Sequence, residues 1–395
     1  MRHIQGASSC RCSNGKADRL PICCIVPPHM LEHLARSGNA SQVQWALRTL
    51  ILSAHFRGRR EALGGIMTMA PAGTKQRTIY DARNTETLPG APVRKEGDPA
   101  SGDVAVNEAY DGSGATYDFY QKIFSRNSID NHGMRLDSTV HYGMNYDNAF
   151  WNGTQMVYGD GDKQIFNRFT IAVDVIGHEL THGVTENTAA LEYQGEPGAL
   201  NESFSDVFGS MIKQWQLNQT ALQADWLIGA GLFRPNIQGT ALRSMENPGT
   251  AYNDPIIGQD PQPADMTGFY RGGDDNGGVH INSGIPNRAF CLAAKAMKGN
   301  SWQTVGPVWY QTLTTRLHQQ STFAEAADAT IKVAADLAGA NSSLAKAITQ
   351  AWRTVKVIKP SSGGNGKAAG RLNVAASRGL FESAKRKRPM ARSAR

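Results

Sequence analysis

A chain of 395 residues exceeds what one hydrophobic core usually organises, so it divides into two or more folding units. Its composition, 40% hydrophobic and 19% charged, is that of a globular protein, and no run of about 18 apolar residues offers a membrane span. The net charge of +7 sits at the ends: residues 1–60 hold nine Lys/Arg against two Asp/Glu and residues 361–395 hold nine against one, which leaves the middle at −8, without the basic groove that nucleic acid requires.

Residues 1–22 are polar and irregular and read as a disordered extension. Cys10, Cys12, Cys23 and Cys24 crowd the start and Cys291 lies alone in an apolar helical run, so disulfides do not hold this chain together. Cys10 and Cys12 lack the second pair of a structural zinc site. The apolar stretch Leu20 to Val26 is stopped by Pro27-Pro28 and is short for the core of a signal peptide. The expectation is therefore a precursor made in the cytoplasm, or secretion by a non-standard route. Pro28 can open a helix that ends near Gly38. Asn39 or Ser41 can cap a second, with Val43, Leu47, Leu50 and Leu52 on its inner side. Residues 58–75, rich in Arg, Gly, Ala and Pro, read as an exposed linker open to proteolysis. From 76 to 165 short strands alternate with Gly/Asn/Asp turns, interrupted by one helix near Val104–Phe124. The run from Thr139 to Asp162 alternates as an antiparallel sheet does. Residues 168–358 are mostly helical, and the Ser/Gly/Lys/Arg-rich stretch after Pro360 reads as a solvated, disordered tail.

The concentrated chemistry begins at His178-Glu179-Leu180-Thr181-His182. On a helix His182 lies about 40° around from His178 and Glu179 about 100°, so the three share one arc. Ala172, Val173, Ile176, Leu180 and Val184 take the opposite side, and Val175 falls near the arc, which predicts a helix buried between two lobes. Burying two histidines and a glutamate is costly unless a divalent ion compensates. Zinc suits imidazole ligands and keeps one position open for water, and this spacing is a known zinc-peptidase pattern with the glutamate as general base.

A third histidine six residues on is excluded, because Thr185 and Thr188 stand at the relevant positions. Glu202 in ALNESFSDVFGSM is the favoured third ligand, flanked by Asn201 and Asp206; by itself the segment could equally be the solvated start of a helix. Asp206, one turn on, could accept the second N–H of a ligand histidine. In GGDDNGGVHINSGIPNRAF, His280 could donate to a developing oxyanion with Asp275 orienting it. A loop histidine satisfied by backbone is the alternative.

Taken together, HELTH, GALNESFSD, NAFWN, MVYGDGD, LRSM and DNGGVHINSGIPN stand in the order found in the thermolysin family of neutral metallopeptidases, which the chain resembles over residues 76–358. CCIVPPHMLEHLA resembles the short propeptide of the protealysin branch, in which a Pro-Pro motif occupies the cleft. The resemblance implies an α+β fold: a β-rich N-terminal lobe carrying the zinc helix (67–187) and a helical C-terminal lobe (188–359). A disordered extension (1–22) and an inhibitory propeptide (23–66) precede them, and a basic tail (360–395) follows. It implies a metalloendopeptidase with one Zn2+ on His178, His182 and Glu202, and Glu179 as general base to the zinc-bound water. Tyr193 and His280 would stabilise the oxyanion, with Asp275 holding His280, and Asp206 and Asn201 would support the ligand shell. Asn148 and Ala149 would pair with substrate backbone, and Arg243 would bind a substrate carbonyl on the leaving side. Phe166, Phe169, Val175, Ile228 and Leu242 would form a pocket preferring a bulky apolar residue just after the cut. Asp174 and Asp225 match structural calcium ligands of long-propeptide members, but Lys213, Leu227 and Ala230 replace acids, so this calcium site is expected to be absent. The expected protein is a monomeric, latent zymogen acting on protein or peptide substrates, with its own propeptide as partner in cis. Pro27 and Pro28 would lie against the leaving-side subsites, with zinc ligation by Cys23 or Cys24 as a rival. Autocatalytic cleavage is expected within 58–70, before Leu63, Ile66 or Met67.

Overall fold

The computed structural model describes residues 23–59 and 74–359; the expected extension, the candidate maturation sites Leu63, Ile66 and Met67 and the basic tail lie outside the described residues. Within them, strands β1 (Cys23–Cys24), β2 (Arg77–Asp81), β3 (Ala91–Lys95), β4 (Leu136–Val140), β5 (Ala149–Trp151) and β6 (Met156–Tyr158) form one sheet in the order β1-β5-β6-β4-β2-β3. The pairing is mixed rather than antiparallel: β2/β4 and β4/β6 run parallel, while β1/β5, β5/β6 and β2/β3 run antiparallel. Alternation fixes which face a side chain takes but not which strand lies next to it, and the long crossover through helix α3 (Val104–Phe124) makes the parallel pairing of β2 with β4 possible. Asp103 caps α3, its carboxylate accepting from the Ala105 and Val106 amides.

The leading segment belongs to the same compact body. Residues Cys23–Cys24 add a strand to the β5 edge, Cys23 opposite Trp151 and Cys24 opposite Phe150. Two helices follow, α1 (Pro28–Ser37) and α2 (Ala40–Arg59). In α1, Pro27 is the N-cap, Pro28 fills the first turn and Met30, Leu31 and Leu34 are buried. Asn39 accepts hydrogen bonds from the Ser41 and Gln42 amides at the start of α2. The inner face of α2 agrees with expectation in part: Leu50 and Leu52 pack partly buried against the core. Gln42, Ala46, Thr49 and Ser53 point inward, whereas Leu47 is 47% and Ile51 67% exposed. The polar inner residues bond to the segment that leads into β5: Ser53 meets the Tyr146 hydroxyl at 3.0 Å, and Thr49 accepts from the Asp147 amide at 3.3 Å.

Helices α4 (Val173–Glu186) and α5 (Gly195–Gln216) form the centre, and residues 174–185 of α4 are buried on every side, as an apolar helix lying between two lobes requires. Their backbones nearly touch: a Cβ on Gly209 would lie 2.3 Å from the Asp174 carbonyl oxygen. Two small hairpins that sequence periodicity did not indicate, β7 (Leu227–Ile228) with β8 (Arg243–Ser244) and β9 (Asn253–Asp254) with β10 (Gly258–Gln259), interrupt the helical half. The remaining helices are α6 (Asp274–Asn282), α7 (Gly284–Met297), α8 (Ser301–Thr304), α9 (Gly306–Thr315), α10 (Phe323–Ala338) and α11 (Ser343–Thr354). Among the described residues no helix is long and apolar enough to cross a membrane.

Candidate metal centre and cleft

Helix α4 presents His178 and His182 toward Glu202 on α5. The two Nε2 atoms lie 3.0 Å apart, and each is 3.5 Å from one oxygen of Glu202. The outer nitrogens are occupied: His178 Nδ1–H donates to Asp206 at 2.8 Å and His182 Nδ1–H to Asn201 at 2.8 Å. Both inner Nε2 lone pairs therefore face one point. Burial holds His182 down to about 3 despite the pull of Glu202, so the ring is neutral and able to ligate. Burial also opposes ionisation of Glu202, but His280, His182 and His178 overcome it and keep the carboxylate charged. Glu202 Oε2 and Glu179 Oε1 are buried without a hydrogen-bond partner. Two imidazoles, an ionised carboxylate and an unsatisfied oxygen, with ligand atoms all within 4.8 Å of one another, suit a divalent cation such as zinc. Glu179 stands beside this centre, its Oε2 accepting from the Trp151 amide at 3.1 Å. Burial and the neighbouring Glu202 raise its carboxyl well above the ordinary range.

His280 faces the same point from the other lobe. Asp275 to Gly278 adopt left-handed backbone, with φ of 53°, 51°, 78° and 79°, and this turn brings the Asp275 carboxylate back onto His280. His280 Nδ1–H donates to Asp275 Oδ1 at 2.6 Å, and the His280 amide donates to Oδ2 at 2.8 Å. Burial works against its charge, but Asp275 and Glu202 raise it to about 9. The Tyr193 hydroxyl donates a short hydrogen bond to Glu202 and lies 3.2 Å from His280 Nε2.

Arg243 is buried and binds Asp206 through two parallel hydrogen bonds of 2.9 Å. Burial opposes ionisation of Asp206, but Arg243 and His178 hold its carboxyl below the usual range. Asn287 completes the set, donating to Asp206 at 2.8 Å. Its role was not evident in the sequence, although it closes the segment GGVHINSGIPN; nor were those of Ser205, 3.1 Å from His182 Nδ1, and the Trp151 amide. Phe166, Phe169, Val175, Ile228 and Leu242 are all buried in one apolar cluster with Ile25.

The leading chain runs through this cleft. The Cys24 carbonyl oxygen lies 3.0 Å from His280 Nε2. The Ile25 amide donates to the Ala149 carbonyl at 3.2 Å, and the Ile25 carbonyl accepts from Arg243 Nη1 at 3.0 Å. Val26 exchanges two hydrogen bonds with the Asn148 side chain, at 3.0 and 3.4 Å. The docking atoms thus belong to Cys24, Ile25 and Val26, while Pro27 and Pro28 begin α1. The Cys24 side chain packs with Tyr142, Tyr146 and Phe150, and the metal-ligating cluster among the described residues contains no cysteine.

Lys213 stands between Asp174 and Asp225, the two acids singled out in the sequence. Its ammonium lies 3.0 Å from Asp174 and 2.9 Å from Asp225, and donates to the Leu227 carbonyl at 2.9 Å.

Comparison with known proteins agrees with this geometry. Residues 66–186 match the family described as thermolysin metallopeptidase, catalytic domain, and residues 189–357 its alpha-helical domain. The chain is similar to an extracellular metalloprotease of Pectobacterium carotovorum subsp. carotovorum, 52% identical over 85% of this chain and 97% of that protein. It is also similar to protease PrtS of Photorhabdus sp. (strain Az29), 44% identical over 84% of this chain and 91% of the relative. The structure of the precursor of protealysin, a metalloproteinase from Serratia proteamaculans, superposes with a TM-score of 0.79 at 51% identity and covers 85% of this chain and all of its own.

Proposed function

The chain belongs to the thermolysin metallopeptidase family and is a zinc metalloendopeptidase, and from the geometry of its cleft we propose how its residues divide the work. The observation that carries the proposal is the convergence of His178, His182 and Glu202 on one buried point beside Glu179. His178, His182 and Glu202 would hold the zinc ion, which when bound would supply Lewis-acid polarisation of the scissile carbonyl and lower the pKa of the attacking water. Glu179 takes the proton from that water and passes it to the leaving nitrogen. His280 and Tyr193 donate to the carbonyl oxygen as it gains charge, and Asp275 keeps His280 protonated and aimed. Asp206 and Asn201 fix the ligand tautomers. Asn148, Ala149 and Arg243 hold the substrate backbone, and the Phe166, Phe169, Val175, Ile228 and Leu242 pocket selects a bulky apolar residue on the leaving side.

In this reading residues 23–66 form the inhibitory propeptide, 67–187 and 188–359 the two catalytic lobes, and the cut that frees them lies within 58–70. The backbone hydrogen bonds of Cys24 to Val26 support latency, because they use the atoms a substrate would need. Lys213 takes the place of calcium, the enzyme works as a monomer, and it acts outside the cell, as the name of the extracellular metalloprotease of Pectobacterium suggests. Profiling with a peptide library tests the assignment: the mature enzyme should cut before Leu, Ile, Phe or Met. Cleavage concentrated after charged residues would contradict the pocket.

A further inference from the structure

The leading segment does more than cover the cleft: it lies there with the direction and register of a substrate. β1 runs antiparallel to β5. One carbonyl, that of Cys24, faces His280 at 3.0 Å, with the Tyr193 hydroxyl 3.2 Å from the same nitrogen. The next residue, Ile25, gives its amide to Ala149 and its carbonyl to Arg243, and its side chain is fully buried. The residue after that is held on both polar atoms by Asn148. One peptide bond, Cys24–Ile25, is thereby placed between the oxyanion donors and the leaving-side contacts. Glu179 Oε1, the free oxygen of the general base, is buried without a partner. A cavity of about 210 Å³ adjoins Cys24, Val26, Tyr193 and His280, on the side of the oxyanion donors.

From this geometry we propose that Cys24–Ile25 is a self-hydrolysis site, a second cut distinct from the maturation cut within 58–70; the proposal rests on the zinc-endopeptidase reading of the same centre. Water adds its oxygen to the Cys24 carbonyl carbon, the C–N bond to Ile25 breaks, and the proton taken up by Glu179 goes to the Ile25 nitrogen. The products are a Cys24 carboxylate and a new amino terminus at Ile25. This cut does not open the cleft. Ile25 and Val26 are followed directly by α1, whose Met30, Leu31 and Leu34 are buried, and by α2, tied to the lobe through Ser53 and Thr49. The new terminus therefore stays in the leaving-side subsites as a tethered product, and the trimmed protein remains latent until residues 25–59 depart.

Intact mass and amino-terminal sequencing of the full chain, before and after zinc loading, test this alongside casein hydrolysis. The expected result is loss of residues 1–24 and a terminus at Ile25 in molecules still carrying α1 and α2, with no cut in Glu179→Gln. Ile25→Asp, which places a charge at a fully buried position, should slow this cut by about 100-fold. Amide hydrogen exchange of the zinc-free Glu179→Gln protein reads the register without turnover: the Ile25 and Val26 amides should be protected, and Ile25→Asp should remove that protection. A casein-active preparation in which every molecule retaining α1 keeps the 24–25 bond intact would overturn the proposal while leaving the enzyme reading in place. A zinc-loaded chain that neither cleaves itself nor hydrolyses casein would overturn both.

Discussion

Asp206→Asn removes one charge from a carboxylate that serves three partners. Asp206 accepts from His178 at 2.8 Å, from Arg243 twice at 2.9 Å and from Asn287 at 2.8 Å, with no solvent to replace any of them. The amide keeps the shape but leaves the buried Arg243 guanidinium without its counter-charge, a loss of about 3–5 kcal/mol for a broken buried pair. At about 2–3 °C per kcal/mol this lowers the melting temperature of the zinc-free precursor by about 6–15 °C. Weakening the partner of a ligand histidine should also reduce zinc affinity by about 10–100-fold. Scanning fluorimetry of the metal-free protein and competition against a chromophoric chelator measure the two effects separately. The double variant Asp206→Asn/Arg243→Leu should regain part of the lost stability, because the unpaired cation is gone, but not the zinc affinity. A single Asp206→Asn variant with unchanged melting and unchanged zinc affinity would refute the argument that this carboxylate couples the metal centre to Arg243.

Three further outcomes follow from individual contacts. His141 lies 2.9 Å from both Asp103 and Asp160, and the hydrogen bond to Asp160, against partial burial, raises it to about 9. Because the folded value exceeds the ordinary 6.5, the stabilisation is complete below about pH 6.5 and is lost as pH rises through about 9; after screening it is about 1 kcal/mol, and His141→Asn should remove that pH dependence from urea unfolding. Lys213→Met leaves the buried Asp174 unpaired and should cost about 3–5 kcal/mol, whereas calcium or a calcium chelator should not move the wild-type melting temperature; a calcium-dependent rise would contradict the role given to Lys213. Gly209→Ala places a methyl 2.3 Å from the Asp174 carbonyl oxygen and 3.1 Å from the His178 amide, so it should destabilise the fold by at least about 1–3 kcal/mol and weaken zinc binding, both measurable on the metal-free and zinc-loaded forms.

Local pattern made much of this molecule legible. Helix α3 spans the expected Val104–Phe124, and α4 is buried all round as its apolar faces required. His178 and His182 share one face because their spacing within α4 is local information, whereas Glu202 comes from α5 by helix packing and was legible only through its segment and the family resemblance. Pairing across distance was not legible: nothing in the β4–β6 sequence distinguishes a parallel from an antiparallel neighbour. The inner face of α2 is legible in part: Leu50 and Leu52 pack against the core, whereas the neighbouring contact surface offers Tyr146 and the Asp147 amide, which suit Ser53 and Thr49 rather than Leu47. Pro27-Pro28 marks the docking segment in the sequence, but the hydrogen bonds come from the three residues before it. Docking on Ala149 and Asn148 needs backbone N–H groups, which proline lacks and Ile25 and Val26 supply. Asn287 was hidden for a similar reason, since its value lies in reaching Asp206 from α7.

Zinc content and peptide hydrolysis, measured together on wild type and Glu179→Gln, show whether a single catalytic zinc sits on His178, His182 and Glu202 with Glu179 as the base. Both proteins should hold one zinc per chain, with hydrolysis reduced by at least about 1,000-fold in the variant. A variant that holds zinc and still cleaves at the wild-type rate, or a wild type active without metal, would contradict this assignment.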